Sequence, residues 1–579
     1  MSAKYTANSE GELILTDANG DSRRLSNYIP KLVELQRVDD GFNIIERMIF
    51  AAYRKGKREL PVALTKEEIE NGRFNAKFAP GCRIELGRGN KACVGEMMLM
   101  QAEDAELVTR YRHTGFIEDN GEWVYLNGDC SISADGLTDR YSVELEGTMS
   151  KFCFYEVNID DAECFDKFLN RMGVAIPDHI RIPLLSFVFL SPLNTMLREK
   201  GVEPTITLYI IGRTGSFKTS IVKVYLCFFG KFENTTPAPM NFDDSLNALT
   251  RKAALGADLP MLLDDRRVST TAYDKQKYEK VEKHISSVYG DKTSRGRCNP
   301  DGTLQNSMVA RGNLIVTAEE AYQNIGNAAI GRALSVEMHP GDITDEAMTE
   351  MQDLAPVWNK LMQMYIRWII RNYDRLSKEL PERFARFRAE QQNRDHKRLG
   401  TSTAHLSIGY SCMLDFLQDA GAIDEATAVS MMQMAQAIFR EMSSKQGERV
   451  AEEKPTELFL NTLHELVMTR DAKLCEFDSD TPANYISPAT VGFIDKSNGD
   501  VYLIKGKVYA AVCEQLARCG SVFPVSATNL WKHLAEEHLS SVNKGRYDKK
   551  KQIPGVAGNW FIHIPSAVWG NADREEVKE

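Results

Sequence analysis

Residues 206–229, ITLYIIGRTGSFKTSIVKVYLCFF, constrain the chain more than any other stretch. Apolar and β-branched residues run straight into a glycine turn. A lysine and two hydroxyls follow, and then apolar residues at helical spacing. A strand that stops at Gly212 and a helix that starts near Lys218 leave the backbone N–H groups of Gly212, Arg213, Thr214, Gly215, Ser216 and Phe217 pointing inward. The dipole at the helix start adds positive potential to that nest. The reading is a phosphate-binding loop that runs on to Ser220. Lys218 would reach the β- and γ-phosphates of a nucleotide, and the Thr219 hydroxyl would hold Mg²⁺. The loop departs from GxxxxGK[ST] at Phe217, where the pattern wants glycine, so GxxGxxKT remains. A Cβ at that position must point away from the ligand. The alternative is a glycine turn with a chance Lys-Thr.

At 579 residues the chain is long enough for about three or four domains. It is 43% apolar and 26% charged, so burying a core is no difficulty. A net charge of −10 argues against an outer surface that coats nucleic acid, but leaves room for a locally basic channel. The eleven cysteines form an odd set without a CxxC pair, which reads as reduced thiols in a cytoplasmic protein. Cys513 and Cys519 lie in an apolar helical pattern and read as core packing rather than a zinc site. No signal-peptide pattern opens the chain and no apolar run reaches ~18 residues, so no membrane span is expected.

Residues 1–105 carry one strong amphipathic segment, GFNIIERMIFAAYRKGKREL. Strand-like runs follow, separated by Asp-Asn-Gly and Asn-Gly-Asp turns, and give a mixed domain that ends near residue 160. His113 and Trp123 within it read as packing residues. From 161 to 200 the pattern is helical and includes a buried helix or pair leading to the loop strand.

Past the loop, a helix candidate ends at Pro260 and MLLDD, residues 261–265, follows. It reads as a buried parallel strand delivering two carboxylates beside the phosphates. Asp264 would hold Mg²⁺ through water, and Asp265 would orient or activate the attacking water, although glutamate is commoner there and reaches one methylene further. Apolar-then-acid runs also mark ordinary strand ends. A charged helix over 274–291 leads to TSRGRCNPDGTLQNS, a hairpin pattern around Asn299-Pro300-Asp301-Gly302 with Arg295 and Arg297 on its first arm. These arginines suit nucleic-acid phosphates; a solvated hairpin is the alternative. In the strand NLIVTAEE, Thr317 stands where a polar residue can sense the γ-phosphate or position water. Arg332, before the next apolar strand, could enter a neighbouring subunit's nucleotide site as an arginine finger, or form a surface salt bridge.

This order resembles the AAA+ ATPase core, and more narrowly the branch similar to minichromosome-maintenance (MCM) helicases. That branch also lacks the third loop glycine and places a hairpin before the polar-tipped strand, lining a central DNA channel. The strings GRTGSFKTS, MLLDD, SRGRCNPDGTL, NLIVTAEE and HTGFIEDNGEWVYLNG look like a family of MCM-like replication helicases from bacterial mobile elements such as cassette chromosomes, pathogenicity islands and prophages. The resemblance covers residues 100–345 well and the flanks more loosely. Residues 346–450, helical throughout, look like an AAA+ lid, in which Arg398, or a nearby arginine such as Arg394, would close on the γ-phosphate. After a linker near 452–459, a helix capped by Ser526, a basic loop and the strand NWFIHI suggest a winged helix. Its cluster Lys544, Arg546, Lys549, Lys550 and Lys551 would contact DNA or dock a protein.

The expected fold is therefore an α/β P-loop AAA+ core (161–345) with a mixed α+β N-terminal domain (1–160), an all-α lid (346–450) and a C-terminal winged-helix domain (451–579). The resemblance implies an ATP- and Mg²⁺-dependent DNA helicase, a hexamer in the family's manner, acting on single- and double-stranded DNA in replication of a mobile element. Lys218, Thr219, Asp264, Asp265 and Thr317 would come from one subunit and Arg332 from the next, with other replication proteins as further partners. The rivals are a non-unwinding AAA+ loader or remodeller and an ATP-dependent DNA-binding replication initiator.

Overall fold

Five short apolar runs, too uniformly hydrophobic for a sheet with one wet face, form an all-parallel sheet at the centre of the chain. They are β1 (Thr207–Gly212), β2 (Met240–Asn241), β3 (Pro260–Arg266), β4 (Asn313–Ala318) and β5 (Ala333–Met338), in the order β2-β3-β4-β1-β5. Every residue of β4 is buried. The strand that carries the glycine loop lies between β4 and β5, where the strand order reverses, and the carboxyl ends of an open parallel sheet at such a switch point form a crevice. In this computed structural model the described residues are 4–17, 19–268, 271–293, 296, 298, 302, 304, 306–320, 331–390, 397–452, 454–478, 487–519, 522–543, 545–557 and 560–570.

Helices Lys218–Leu226 and Leu246–Leu255 follow β1 and β2, the second capped by Ser245, which accepts from the Ala248 N–H. The expected buried helix before the loop is Asp178–Leu190, continued by turns to Glu199. Asp178–Glu199 is long and apolar enough to cross a membrane by length and composition, a correction to the count of apolar runs in the sequence. However, 94% of its most apolar window is buried inside the fold. Helix Lys397–Asp419 packs along it at close range: a Cβ on Gly409 would lie 2.0 Å from the Ser186 carbonyl oxygen, so only glycine allows this approach. Helices Asp345–Asp353, Ala355–Arg371, Tyr373–Glu390 and Glu425–Glu452 complete the helical segment. The core of buried side chains runs from Phe116 to Met442 without a break at either 160 or 345.

In the N-terminal region the amphipathic segment 41–60 is mainly a strand, Ile44–Arg54, antiparallel to Ile29–Asp39. The Asp-Asn-Gly signal makes the turn it promises, with Asn120 and Gly121 both at positive φ between paired strands Gly115–Asp119 and Glu122–Leu126. His113 is buried with Nδ1 2.8 Å from the Thr114 carbonyl oxygen, and Trp123 stacks on Tyr373 at 3.9 Å. Both are packing residues, as the sequence indicates.

The C-terminal region is a five-stranded sheet with helices Pro455–Met468, Lys505–Arg518 and Ala527–Glu536. Its strands run in the order Lys473–Phe477, Thr490–Asp495, Val501–Leu503, Trp560–Ile564, Lys549–Lys550. Two expectations are corrected here. Ser526 has the backbone of an N-cap, but its side chain makes no capping bond. Cys519 is exposed just past its helix, because the apolar stripe ends a turn earlier.

Candidate functional site

The glycine loop is shaped by three residues for three reasons. Gly212 ends β1 where a Cβ would lie 2.3 Å from the Met338 carbonyl oxygen, so the close passage of β5 excludes any side chain. Gly215 needs the left-handed conformation, at φ +88°. Phe217, the residue in place of the missing glycine, also adopts it, at φ +60° and ψ +17°. A bulky side chain in that region is a backbone outlier with a cost of order 1–3 kcal/mol. The Phe217 ring packs against the hydrophobic core, which offsets part of that cost. Glycine's backbone geometry is thus retained without glycine.

Helix Lys218–Leu226 begins directly after this turn, so Lys218, Thr219 and Ser220 form its first turn. The Lys218 ammonium bonds back to the Arg213 carbonyl at 2.9 Å, and the Ser216 hydroxyl bonds to the same oxygen at 2.8 Å. Burial lowers the Lys218 pKa, against the opposing pull of Glu319, Asp264 and Asp265. Arg213, Thr214 and Gly215 are exposed at the crest of the loop.

Asp264 is where the sequence places it, at the tip of β3. One of its oxygens accepts from the Thr219 hydroxyl at 2.7 Å and from the Thr317 hydroxyl at 2.5 Å. Thr317 Oγ1 in turn accepts from the Asp265 backbone N–H at 3.2 Å. Helix start, β3 and β4 are thereby tied at one carboxylate. The pairing of β3 with β4 slips between Leu263 and Arg266, and Asp265 sits in this bulge at φ +75°. Its side chain is ion-paired to the exposed Arg267, with Nε on Oδ1 at 3.0 Å.

Glu319 is a further acid at this site that no motif in the sequence singles out. It stands just past β4, accepts from the Thr214 hydroxyl, and accepts from the Val268 N–H at 3.2 Å; these bonds hold its carboxyl below the usual range. The signal was present: Glu319 is two residues beyond Thr317, hence on the same face of the strand. Behind the site, Arg266 pairs with the fully buried Glu282 at 2.7 Å, and burial pushes that carboxyl up to about 7.

Other expected site residues lie elsewhere. Arg332 is at the amino end of β5, where its carbonyl accepts from Thr207 N–H, about 17 Å along the sheet from Gly212 at ~3.3 Å per residue. It cannot reach its own loop, and its guanidinium pairs with Asp291 at 2.5 Å. Arg398 is exposed in the first turn of helix Lys397–Asp419. Arg295, Arg297, Arg394 and Lys544 lie outside the described residues. Cys298 and Leu304 bridge antiparallel across the expected hairpin, and Lys292 anchors its base through Glu203 at 3.0 Å and the Ala310 carbonyl.

In the C-terminal cluster, Arg546 bonds to Asp548 at 2.7 Å and lies 4.1 Å over the Trp560 ring. Lys551 pairs with Asp495 at 2.9 Å. Lys549 is half-buried beside His563, while Lys550 is exposed.

These features define a mixed α/β protein with a parallel sheet, whose glycine-loop strand sits at the switch point and whose hydroxyls and acids converge at the loop. No family model and no curated protein matches the sequence. Among solved structures, the chain is similar to one described as SCCmec type IV Cch, an active helicase. The TM-score is 0.62 and the identity 12%, with 98% of each chain covered. That likeness extends to the fold of the whole chain. The NrS-1 C-terminal region (TM-score 0.29, 10% identity, 92% of this chain and 95% of that one) and a JCV helicase (0.18, 13%, 53% and 70%) also match, too distantly to carry an argument.

Proposed function

We propose that this protein is an ATP-driven DNA helicase with an AAA+ core, working in the cytoplasm as a hexameric ring in the replication of a mobile genetic element. The observation that carries the reading is the bond set Thr219–Asp264–Thr317 at the glycine loop. A helix-start hydroxyl and a strand-tip carboxylate on one locus are the hard oxygen donors that suit Mg²⁺ beside a triphosphate. The strand order β5-β1-β4-β3-β2 and the whole-chain likeness to a helicase fold support the same class.

In this reading, Gly212, Arg213, Thr214, Gly215, Ser216, Phe217 and Ser220 contribute the backbone of a phosphate cradle, and Lys218 neutralises charge on the β- and γ-phosphates. Thr219 and Asp264 would hold Mg²⁺, which when bound shields the phosphate oxygens. Thr317 keeps Asp264 in place from the neighbouring strand. A carboxylate beside Asp264 takes the proton of the attacking water, the role the sequence gives to Asp265. Arg332, too far from its own loop, would leave Asp291 for the nucleotide of the next subunit, and Arg398 would close from the helical segment. Single-stranded DNA would pass the hairpin that carries Arg295 and Arg297, while Lys544, Arg546, Lys549 and Lys550 would meet duplex. Unwinding is charge neutralisation and positioned water coupled to hairpin movement.

The test is strand displacement on a forked duplex with ATP and Mg²⁺, for wild type and Lys218→Ala. Wild type is expected to separate the strands and the variant to leave them paired. Hydrolysis with the fork intact would identify a loader or remodeller; duplex binding with negligible turnover would identify an initiator.

A further inference from the structure

Three acids, Asp264, Asp265 and Glu319, end the strands beside the glycine loop, and the structure gives them different occupations. Asp264 is committed to the hydroxyls of Thr219 and Thr317. Asp265 sits in the β3 bulge with both oxygens taken by Arg267, Nε on Oδ1 and Nη2 on Oδ2. Glu319 bonds to the crest of the glycine loop, through the hydroxyl of Thr214, whereas Asp264 bonds to Thr219 at the helix start. Thr214 lies between the two glycines, on the exposed crest that would face the terminal phosphate. The second oxygen of Glu319 accepts from the Val268 N–H at 3.2 Å, which fixes the carboxylate over the loop. Its glutamate side chain supplies the extra methylene of reach that Asp265 lacks.

Resting on the nucleotide-site reading above, we propose that Glu319, rather than Asp265, is the catalytic carboxylate that orients the attacking water and accepts its proton. While the loop is empty, the Thr214 hydroxyl occupies one oxygen of Glu319. A γ-phosphate settling against the crest takes up that hydroxyl and leaves the carboxylate oxygen to a water. The water oxygen then bonds to the γ-phosphorus as the bond from phosphorus to the bridging oxygen breaks, and that oxygen departs on ADP with the electron pair. The water's proton goes to Glu319 and from there to the released phosphate. Asp265 keeps its pairing with Arg267 throughout.

The experiment compares steady-state ATP hydrolysis with equilibrium binding of a fluorescent non-hydrolysable ATP analogue in wild type, Glu319→Gln, Asp265→Asn and Lys218→Ala. Glu319 is exposed enough that its glutamine variant is expected to fold, and a thermal melt checks this. Glu319→Gln is expected to lose about a hundredfold or more in kcat, the scale of a general base, with analogue affinity within about threefold of wild type. Asp265→Asn is expected to lose no more than about tenfold. A smaller loss in Glu319→Gln overturns the proposal, as does loss of analogue binding, which would make Glu319 a holder of the loop. An equal or larger loss in Asp265→Asn overturns it too. Failure of the underlying reading looks different: Lys218→Ala would then bind and hydrolyse like wild type, or wild type would bind no analogue, and either result removes both.

Discussion

The carboxyl edge of the parallel sheet and the basic segment 546–551 are both rich in charge, and they use it in opposite ways. At the sheet edge, Lys218, Asp264 and Glu319 come from three stretches far apart in the chain and converge because parallel strands end side by side. In the basic segment the cations are neighbours in sequence, yet most are spent within the fold: Arg546 on Asp548 and Trp560, Lys551 on Asp495. Lys550 is left exposed. Density of charge along a sequence therefore says little about charge available to a partner, whereas convergence in space says a good deal.

The sharpest way to break that contrast is through Arg332. Arg332→Ala is expected to cut ATP turnover by about a thousandfold or more, the scale of an arginine finger, while analogue binding stays intact. Normal hydrolysis in that variant would mean that the Asp291 pair is all the arginine does. Lys218→Ala should remove turnover by at least about a hundredfold and weaken nucleotide binding as well, measured by the same two assays.

Next in size is a stability effect behind the sheet edge. Burial raises the Glu282 carboxyl from its ordinary 4.5 to about 7, so the folded protein keeps a proton that the unfolded chain has released. Stability contributed by this group is present below about pH 4.5 and is lost as the pH rises through 7, by up to about 3 kcal/mol. Glu282→Gln should flatten that dependence; melting curves of both proteins at pH 5 and pH 8 decide the matter. An unchanged slope would mean that Arg266 keeps the carboxylate ionised.

At the loop, Phe217→Gly should hold analogue affinity within about threefold, because glycine takes positive φ freely. Phe217→Val should lose roughly tenfold, since a β-branched residue resists that backbone. The smallest effects belong to the basic segment. Lys550→Ala should weaken duplex binding by a few-fold and lower the salt slope by about one, whereas Arg546→Ala, which removes a guanidinium already paired with Asp548, should lower it by less. Binding titrations over salt concentration would reverse the contrast drawn above if Arg546 proved the more important.

Much of the site was legible in the order of residues. Gly212, Lys218, Thr219, Asp264 and Thr317 stand on the elements that their patterns announce, because apolar runs, turn residues and strand-tip acids are contiguous signals. Glu319 was legible in part, through its two-residue offset from Thr317. The amphipathic stretch 41–60 was not assigned, since its apolar residues suit a pleated face and carry no cap.

Sequence alone determined the succession of strand, glycine turn, helix and acid-tipped strands, since each is written in residues that touch one another along the chain. Only the tertiary structure decided which acid faces the loop and that a phenylalanine holds a glycine's backbone there. It also decided which arginines are already spent on partners. A bulge, a buried ring and an ion pair each depend on residues that meet through space, and no local pattern carries that information.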